Sequence, residues 1–234
     1  MTAEFVITPP PRAALPVVGT TARFPVRRAY CIGRNYAAHA REMGGDPTRE
    51  PPFFFQKSAD CLQPVPHEGV TDHPYPSLTS NYHHEIEMVV ALKSGGINIP
   101  VEKALDHVFG YAVGLDMTRR DLQDEAKQLR RPWDAGKSSD LSGPCGPLYP
   151  VAQVGHPSKG LIRVSVDGVV KQSGDLSDMI WSVAEQISIL SHAYRLEAGD
   201  VIFSGTPDGV GPVTRGQTMK AEVEGLGAFT LKVV

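Results

Sequence analysis

The sequence predicts a strand-rich α+β domain, and three observations lead to that expectation. Its 234 residues include 23 glycines and 20 prolines, a density of punctuation that suits many short turns and excludes a helical bundle. Apolar residues come in short runs bounded by Gly, Pro, Asp or Ser, the length and setting of strands. Helical spacing is confined to a few segments, each with its own start or stop signal.

Residues 1–26 read as a proline-punctuated N-terminal arm, and residues 27–234 as one catalytic-size domain, with no internal repeat and no long linker. Val26 to Ile32 reads as a strand ending at Gly33. Asn35 can cap a helix running to about Met43, with Gly44 and Gly45 as its stop. Phe53-Phe54-Phe55 reads as a buried strand and Tyr82 to Leu92 as one continuous strand. Pro100 to His107 fits a short helix with Pro near its start. Phe109 to Leu115 is strand-like. Thr118 with Asp121 resembles a capping box for a helix to about Leu129. Asp167-Gly168 between Leu161–Val166 and Val169–Lys171 signals a hairpin with a type I′ turn. Ser182 with Glu185 opens a further helix through about Tyr194. Asp200 to Phe203, Thr218 to Val223 and Ala228 to Val233 close the chain as strands.

Composition excludes several function classes. Hydrophobic residues at 41% and charged residues at 21% exclude wholesale disorder. Lys plus Arg at 23 against Asp plus Glu at 26 gives a formal charge of −3, without the basic excess that nucleic-acid binding wants. No apolar run reaches the roughly 18 residues of a membrane span. The first residues carry Glu4 and several prolines rather than the basic start and apolar stretch of a signal peptide. Cys31, Cys61 and Cys145 are odd in number and far apart, which argues against a disulfide framework or structural zinc. A reducing cytoplasm is the expected compartment.

The densest polar cluster is Tyr82-His83-His84-Glu85-Ile86-Glu87-Met88. On a strand His83, Glu85 and Glu87 share one face, and two carboxylates there repel unless a cation or proton lies between them. Carboxylate sites favour hard ions such as Mg²⁺ or Mn²⁺, although a solvated acidic edge gives the same pattern. Asp116, ending an apolar run, is the natural third ligand, or else an ordinary capping residue. Arg120, Gln123 and Lys127 share a helix face that could clamp a carboxylate or lie in solvent. Lys127 fits the solvated alternative better. Lys137 in Trp133-Asp134-Ala135-Gly136-Lys137 could be a buried amine facing a developing enolate, or a surface lysine. His39 and Glu42, three apart, suit a general base held by a carboxylate, a spacing also common on surfaces. Ser204 to Pro212 is a rigid turn whose N–H groups and Thr206 hydroxyl could bind a carboxylate.

Five motifs occur in register: Gly33-Arg34-Asn35-Tyr36 with His39 and Glu42; His84-Glu85-Ile86-Glu87; Gly114-Leu115-Asp116-Met117-Thr118 with Arg120 and Gln123; Lys137; and Gly205-Thr206-Pro207-Asp208-Gly209-Val210-Gly211. Together they resemble the fumarylacetoacetate hydrolase family, from about Arg27 to the C-terminus. The Phe24-Pro25-Val26-Arg27-Arg28 and Pro51-Pro52-Phe53-Phe54-Phe55 segments are most similar to its bacterial fumarylpyruvate and acylpyruvate hydrolase branch.

The resemblance implies a β-roll domain, usually a homodimer, with a Mg²⁺ or Mn²⁺ site. It implies Glu85, Glu87 and Asp116 as metal ligands, with Lys137 beside them. His39 and Glu42 match the base pair on a lid segment. Arg120, Gln123 and Thr206 match substrate contacts, and the motif residues Arg34 and Tyr36 are expected to bind substrate with them. Gly136 and Ser138-Ser139 depart from the residues relatives often show around the lysine, which bears on pocket shape.

The expected reaction is hydrolysis of a carbon–carbon bond in a 2,4-dioxo acid, with fumarylpyruvate giving fumarate and pyruvate in gentisate-type aromatic catabolism. The partner is thus a small-molecule substrate, without nucleic acid or membrane. Oxaloacetate decarboxylation or muconate-type isomerisation is the alternative at the same site. A non-haem iron triad with His83 and Glu85, and a metal-stabilised binding protein without turnover, are further alternatives. For the distal carboxylate of fumarylpyruvate, Arg34 and then Lys57 are the expected cations.

Overall fold

The computed structural model describes residues 5–42 and 50–234, with the backbone alone for residues 40–42. The expected helix stop at Gly44 and Gly45 lies outside the described residues.

Eight strands form a mixed sheet. Its path runs Phe54–Lys57, Arg28–Ile32, Asp200–Phe203, Ile86–Leu92, Val108–Leu115, Gly143–Cys145, Leu62–Pro64, with Tyr149–Pro150 added beside Val108–Leu115. Every residue of Ile86–Leu92 is buried, because both faces of this central strand are covered. Met88 and Val90 enter the larger core with Ile162, Val164, Phe229 and Leu231. Val89 and Ala91 point the other way, into a second core with Leu15, Phe24 and Phe203.

A second sheet of five strands covers the larger core, in the order Val169–Asp175, Leu161–Val166, Thr218–Val223, Ala228–Val233, Thr71–His73. Alternation is regular in Leu161–Val166, where Ile162, Val164 and Val166 are buried. Its hairpin turns on Asp167 and Gly168 at φ of 50° and 80°, the left-handed pair of a type I′ turn. The helix Val183–Ala193 starts with the expected capping box between Ser182 and Glu185. The chain is therefore a strand-rich α+β fold with a few short helices.

Within the expected N-terminal arm, Ala14–Pro16 and Arg23–Pro25 pair and bury Leu15 and Phe24 in the second core. Three local expectations are corrected. Tyr82 to Leu92 is not one strand. It breaks at Glu85 into Tyr82–His84, in a three-stranded sheet with Thr118–Arg119 and Gly211–Val213, and Ile86–Leu92. Thr118 caps no helix, since it is paired with His83 and the helix Arg120–Gln128 begins after Arg119. Asp121 accepts instead from Thr79 Oγ1 at 2.6 Å and Ser80 N at 3.0 Å, fastening the preceding loop. Asn35 is likewise no cap. Its amide donates to Ser204 O at 2.8 Å and accepts from Trp181 N at 2.8 Å, clamping two distant segments. Among the described residues, no helix is long and apolar enough to cross a membrane.

Candidate active site

The break at Glu85 sets the site. There the chain leaves the three-stranded sheet for the large one, and the Asp116 N–H donates to the Glu85 carbonyl at 2.9 Å. Two segments distant in sequence thus deliver their carboxylates side by side. Glu87 follows two residues later, on the same face. Oxygens of Glu85, Glu87 and Asp116 all lie within 4.8 Å of one another, and all three residues are buried.

Buried cations surround two of these acids. Lys137 Nζ lies 2.7 Å from both Glu85 Oε2 and Asp116 Oδ2. It comes from the helical turn Asp134–Lys137, which packs tightly on the helix Arg120–Gln128. A Cβ at Gly136 would stand 2.9 Å from Gln123 Cβ, so the glycine beside Lys137 permits that approach. Arg120 pairs with Glu85 through Nη2 and donates to Gln123 Oε1 through Nη1. Burial works to raise the Glu85 carboxyl, but the charges of Lys137, Arg120 and His39 outweigh it and hold the group well below the ordinary range. Burial likewise works against the Lys137 ammonium, and Asp116 with Glu85 overcomes it, so the amine is raised.

Glu87 is treated differently. Among the described residues, the one hydrogen bond to its carboxylate comes from the Gly205 N–H, 2.7 Å from Oε2. Gly205 sits at φ 98°, and a Cβ there would lie 2.5 Å from Asn35 Cβ, so only glycine fits. The turn's N–H does bind a carboxylate, though one belonging to the protein. Burial, then Asp116 and Glu85, push the Glu87 carboxyl well up. A hard divalent cation fits this arrangement, because it would meet three converging oxygens and neutralise the one acid that lacks a cationic partner.

These acids open into a cleft. His39, Arg34, Arg120, Gln123, Lys137 and Thr206 all line it. Lys127 also lines it, contrary to the solvated placement favoured from helix spacing, with Nζ 3.2 Å from Asp124 and 5.5 Å from the Trp133 ring centre. His39 is buried on the short helix Ala37–Glu42. The Glu42 side chain lies outside the described residues. Arg34 holds a left-handed φ of 56°, a strained setting for a non-glycine residue.

Tyr36 is buried and lines a cavity beside the carboxylate cleft with Ser173 and Asp178; burial, then the Glu87 and Asp178 charges, raise its hydroxyl. One sequence-based placement does not hold. Lys57 cannot meet a distal substrate carboxylate, because its buried Nζ lies 2.8 Å from Asp116 Oδ1, 3.1 Å from Met117 O and 3.0 Å from Ser142 Oγ, with the Lys137 carbonyl as a further acceptor. Nor does His83 join the acids: its Nε2 bonds to Asn81 Oδ1 at 2.8 Å and its Nδ1 accepts from Arg120 Nε. The iron triad of His83, Glu85 and a remote histidine therefore loses His83. Lys57 and Gln172, below, owe their places to pairings across distant strands, for which local sequence holds no signal.

Comparison with known proteins agrees with this geometry. The model of the fumarylacetoacetate (FAA) hydrolase C-terminal domain matches residues 28–234. A fumarylpyruvate hydrolase of a Ralstonia species is 41% identical over 188 residues, covering 80% of this chain and 95% of that protein. A mitochondrial oxaloacetate tautomerase of Arabidopsis thaliana is 39% identical over 203 residues, covering 87% and 89%. The crystal structure of fumarylpyruvate hydrolase from Pseudomonas aeruginosa, in complex with Mn²⁺ and pyruvate, is 53% identical, covers 99% of each chain and superposes with a TM-score of 0.97. On its sequence, its fold and these relatives, the chain belongs to the fumarylacetoacetate hydrolase family and is an enzyme of its carbon–carbon bond hydrolase class.

Proposed function

We propose that the enzyme hydrolyses fumarylpyruvate to fumarate and pyruvate with a divalent metal, Mg²⁺ or Mn²⁺, held by Glu85, Glu87 and Asp116. The observation that carries this reading is the convergence of those three buried acids in one cleft with His39, Arg34 and Lys127. When bound, the cation supplies Lewis-acid polarisation of the 2-oxo acid end. Arg120, Gln123 and Thr206 hold the carboxylate at that end.

His39, oriented by Glu42, takes a proton from water as the water oxygen attacks the C4 carbonyl. The C3–C4 bond then breaks. Its electron pair goes to the pyruvate enolate, which takes a proton at C3, and the water oxygen remains on fumarate. The Lys137 ammonium stands beside the enolate oxygen and opposes its developing negative charge. Arg34 and Lys127 meet the distal carboxylate, whose desolvation would otherwise cost several kcal/mol, about the penalty for a buried unpaired ion.

The 39% identity to an oxaloacetate tautomerase supports a second reading, proton transfer on a 2-oxo dicarboxylic acid at the same acids. A substrate panel separates the two. Fumarylpyruvate, acetylpyruvate, fumarylacetoacetate and oxaloacetate are followed by diketone absorbance and by pyruvate release. The first reading expects fumarylpyruvate to have the highest kcat/KM. Oxaloacetate turnover without fumarylpyruvate cleavage would replace it with the second.

A further inference from the structure

Gln172 belongs to Val169–Asp175, a strand at the edge of the five-stranded sheet whose neighbouring residues are mostly exposed. Its own side chain is buried, with 1% of the residue exposed, and reaches through to the site. The amide oxygen accepts from His84 Nδ1 at 2.9 Å and from the Ile86 N–H at 3.1 Å. The amide nitrogen lies 2.8 Å from Thr206 Oγ1 and 2.8 Å from the Pro207 carbonyl. All four hydrogen-bonding capacities of the amide are used.

Two backbone groups fix which way the amide faces. The Ile86 N–H can only donate and the Pro207 carbonyl can only accept, so oxygen and nitrogen cannot be exchanged. Thr206 must therefore accept from Gln172. A hydroxyl has one hydrogen, and this acceptor role leaves that hydrogen for the cleft that Thr206 lines. A substrate carboxylate offers lone pairs alone, so it is bound by a donor and repelled by a hydroxyl turned the other way.

We infer that Gln172 is a positioning residue that sets the polarity of Thr206, turning its hydroxyl hydrogen toward the carboxylate of the 2-oxo acid. The inference rests on the reading of Thr206 as a substrate contact. Gln172 also ties that threonine to the peptide between Glu85 and Ile86, so the carboxylate-binding turn and the acid cluster keep one spacing. Gln172 itself touches no substrate.

The test is calorimetric binding of pyruvate to the Mn²⁺-loaded protein in a double-mutant cycle. Thr206→Val is expected to weaken pyruvate about tenfold, the scale of one charge-assisted hydrogen bond. Gln172→Leu is expected to lose most of the same factor, and the double variant no more than Thr206→Val alone. Mn²⁺ affinity is expected to stay within a few-fold in all three. Losses that multiply in the double variant, or wild-type pyruvate affinity in Gln172→Leu, would overturn the inference. Wild-type affinity in Thr206→Val would instead remove the substrate-contact reading beneath it.

Gln172→Glu covers the case in which Gln172→Leu does not fold. It keeps the acceptor side and, once ionised, takes the Thr206 hydrogen for itself. Pyruvate binding is then expected to weaken as pH rises and to be insensitive to that change when Val occupies position 206. Binding equal to wild type across that pH range would overturn the inference.

Discussion

Lys57 Nζ lies 2.8 Å from Asp116 Oδ1, while Lys137 takes the other oxygen of the same carboxylate at 2.7 Å. Two buried ammonium groups thus hold one acid in a single orientation. Lys57 also accepts no solvent screening, so removing it leaves a carboxylate underpaired in the interior. Lys57→Met is expected to destabilise the fold by about 3–5 kcal/mol, the range for breaking a buried ion pair. Urea unfolding measures this, and a loss under about 1 kcal/mol would mean that Lys57 behaves as a surface charge.

Glu87 makes a prediction with opposite signs. Its carboxyl is pushed up by burial and by two neighbouring acids, so ionising it at neutral pH opposes folding of the metal-free protein. Glu87→Gln is expected to raise the metal-free Tm. The same variant is expected to lose the rise in Tm that Mn²⁺ gives the wild type through preferential binding to the folded state. Thermal melts with and without Mn²⁺ measure both. A retained Mn²⁺ shift would remove Glu87 from the ligand set.

Much of this was legible locally. The strands Asp200–Phe203, Thr218–Val223 and Ala228–Val233 were readable to the residue because their alternation or apolar continuity is bounded by turns. The Ser182–Glu185 box and the Asp167-Gly168 turn carry their geometry within four residues. The three acids were legible from spacing and family motifs. The break at Glu85 was not, because both halves are strands and only pairing with different sheets separates them. Lys57 and Asn35 were misplaced for a related reason: their partners lie at Asp116 and Trp181, reached only through the folded sheet.

The distal end of the cleft separates charge reading from general damage. Arg34→Met and Lys127→Met are expected to lower kcat/KM for fumarylpyruvate at least tenfold in one or both variants, about 1.5–3 kcal/mol for a charged hydrogen bond. Acetylpyruvate, which lacks that carboxylate, is expected to change little. Steady-state kinetics on both substrates decide it. Equal losses on both would show that neither residue reads the distal group.

His73 gives the fold an acid limit. Its ring is buried between Gln63 Oε1 at 2.7 Å and the Tyr82 hydroxyl at 2.9 Å, and burial, aided by the Lys57 charge, lowers its pKa to about 4. The unfolded chain, with an ordinary histidine near 6.5, binds more protons between these values. Stability from this group is therefore complete above about pH 6.5 and falls as pH drops toward 4, by about 3 kcal/mol. His73→Gln is expected to flatten the wild-type stability curve across that window. Urea denaturation at a series of pH values checks this, and parallel curves for the two proteins would contradict it.

Water attack on the C4 carbonyl is the step on which the proposed activity depends. It is tested by cleaving fumarylpyruvate in oxygen-18-labelled water with Mn²⁺-loaded enzyme and weighing the fumarate by mass spectrometry. The proposed chemistry predicts equimolar fumarate and pyruvate, with one labelled oxygen in each fumarate, and a rate reduced about 10²- to 10⁴-fold in His39→Ala. Fumarate without label, or label incorporated at the wild-type rate in His39→Ala, would contradict it.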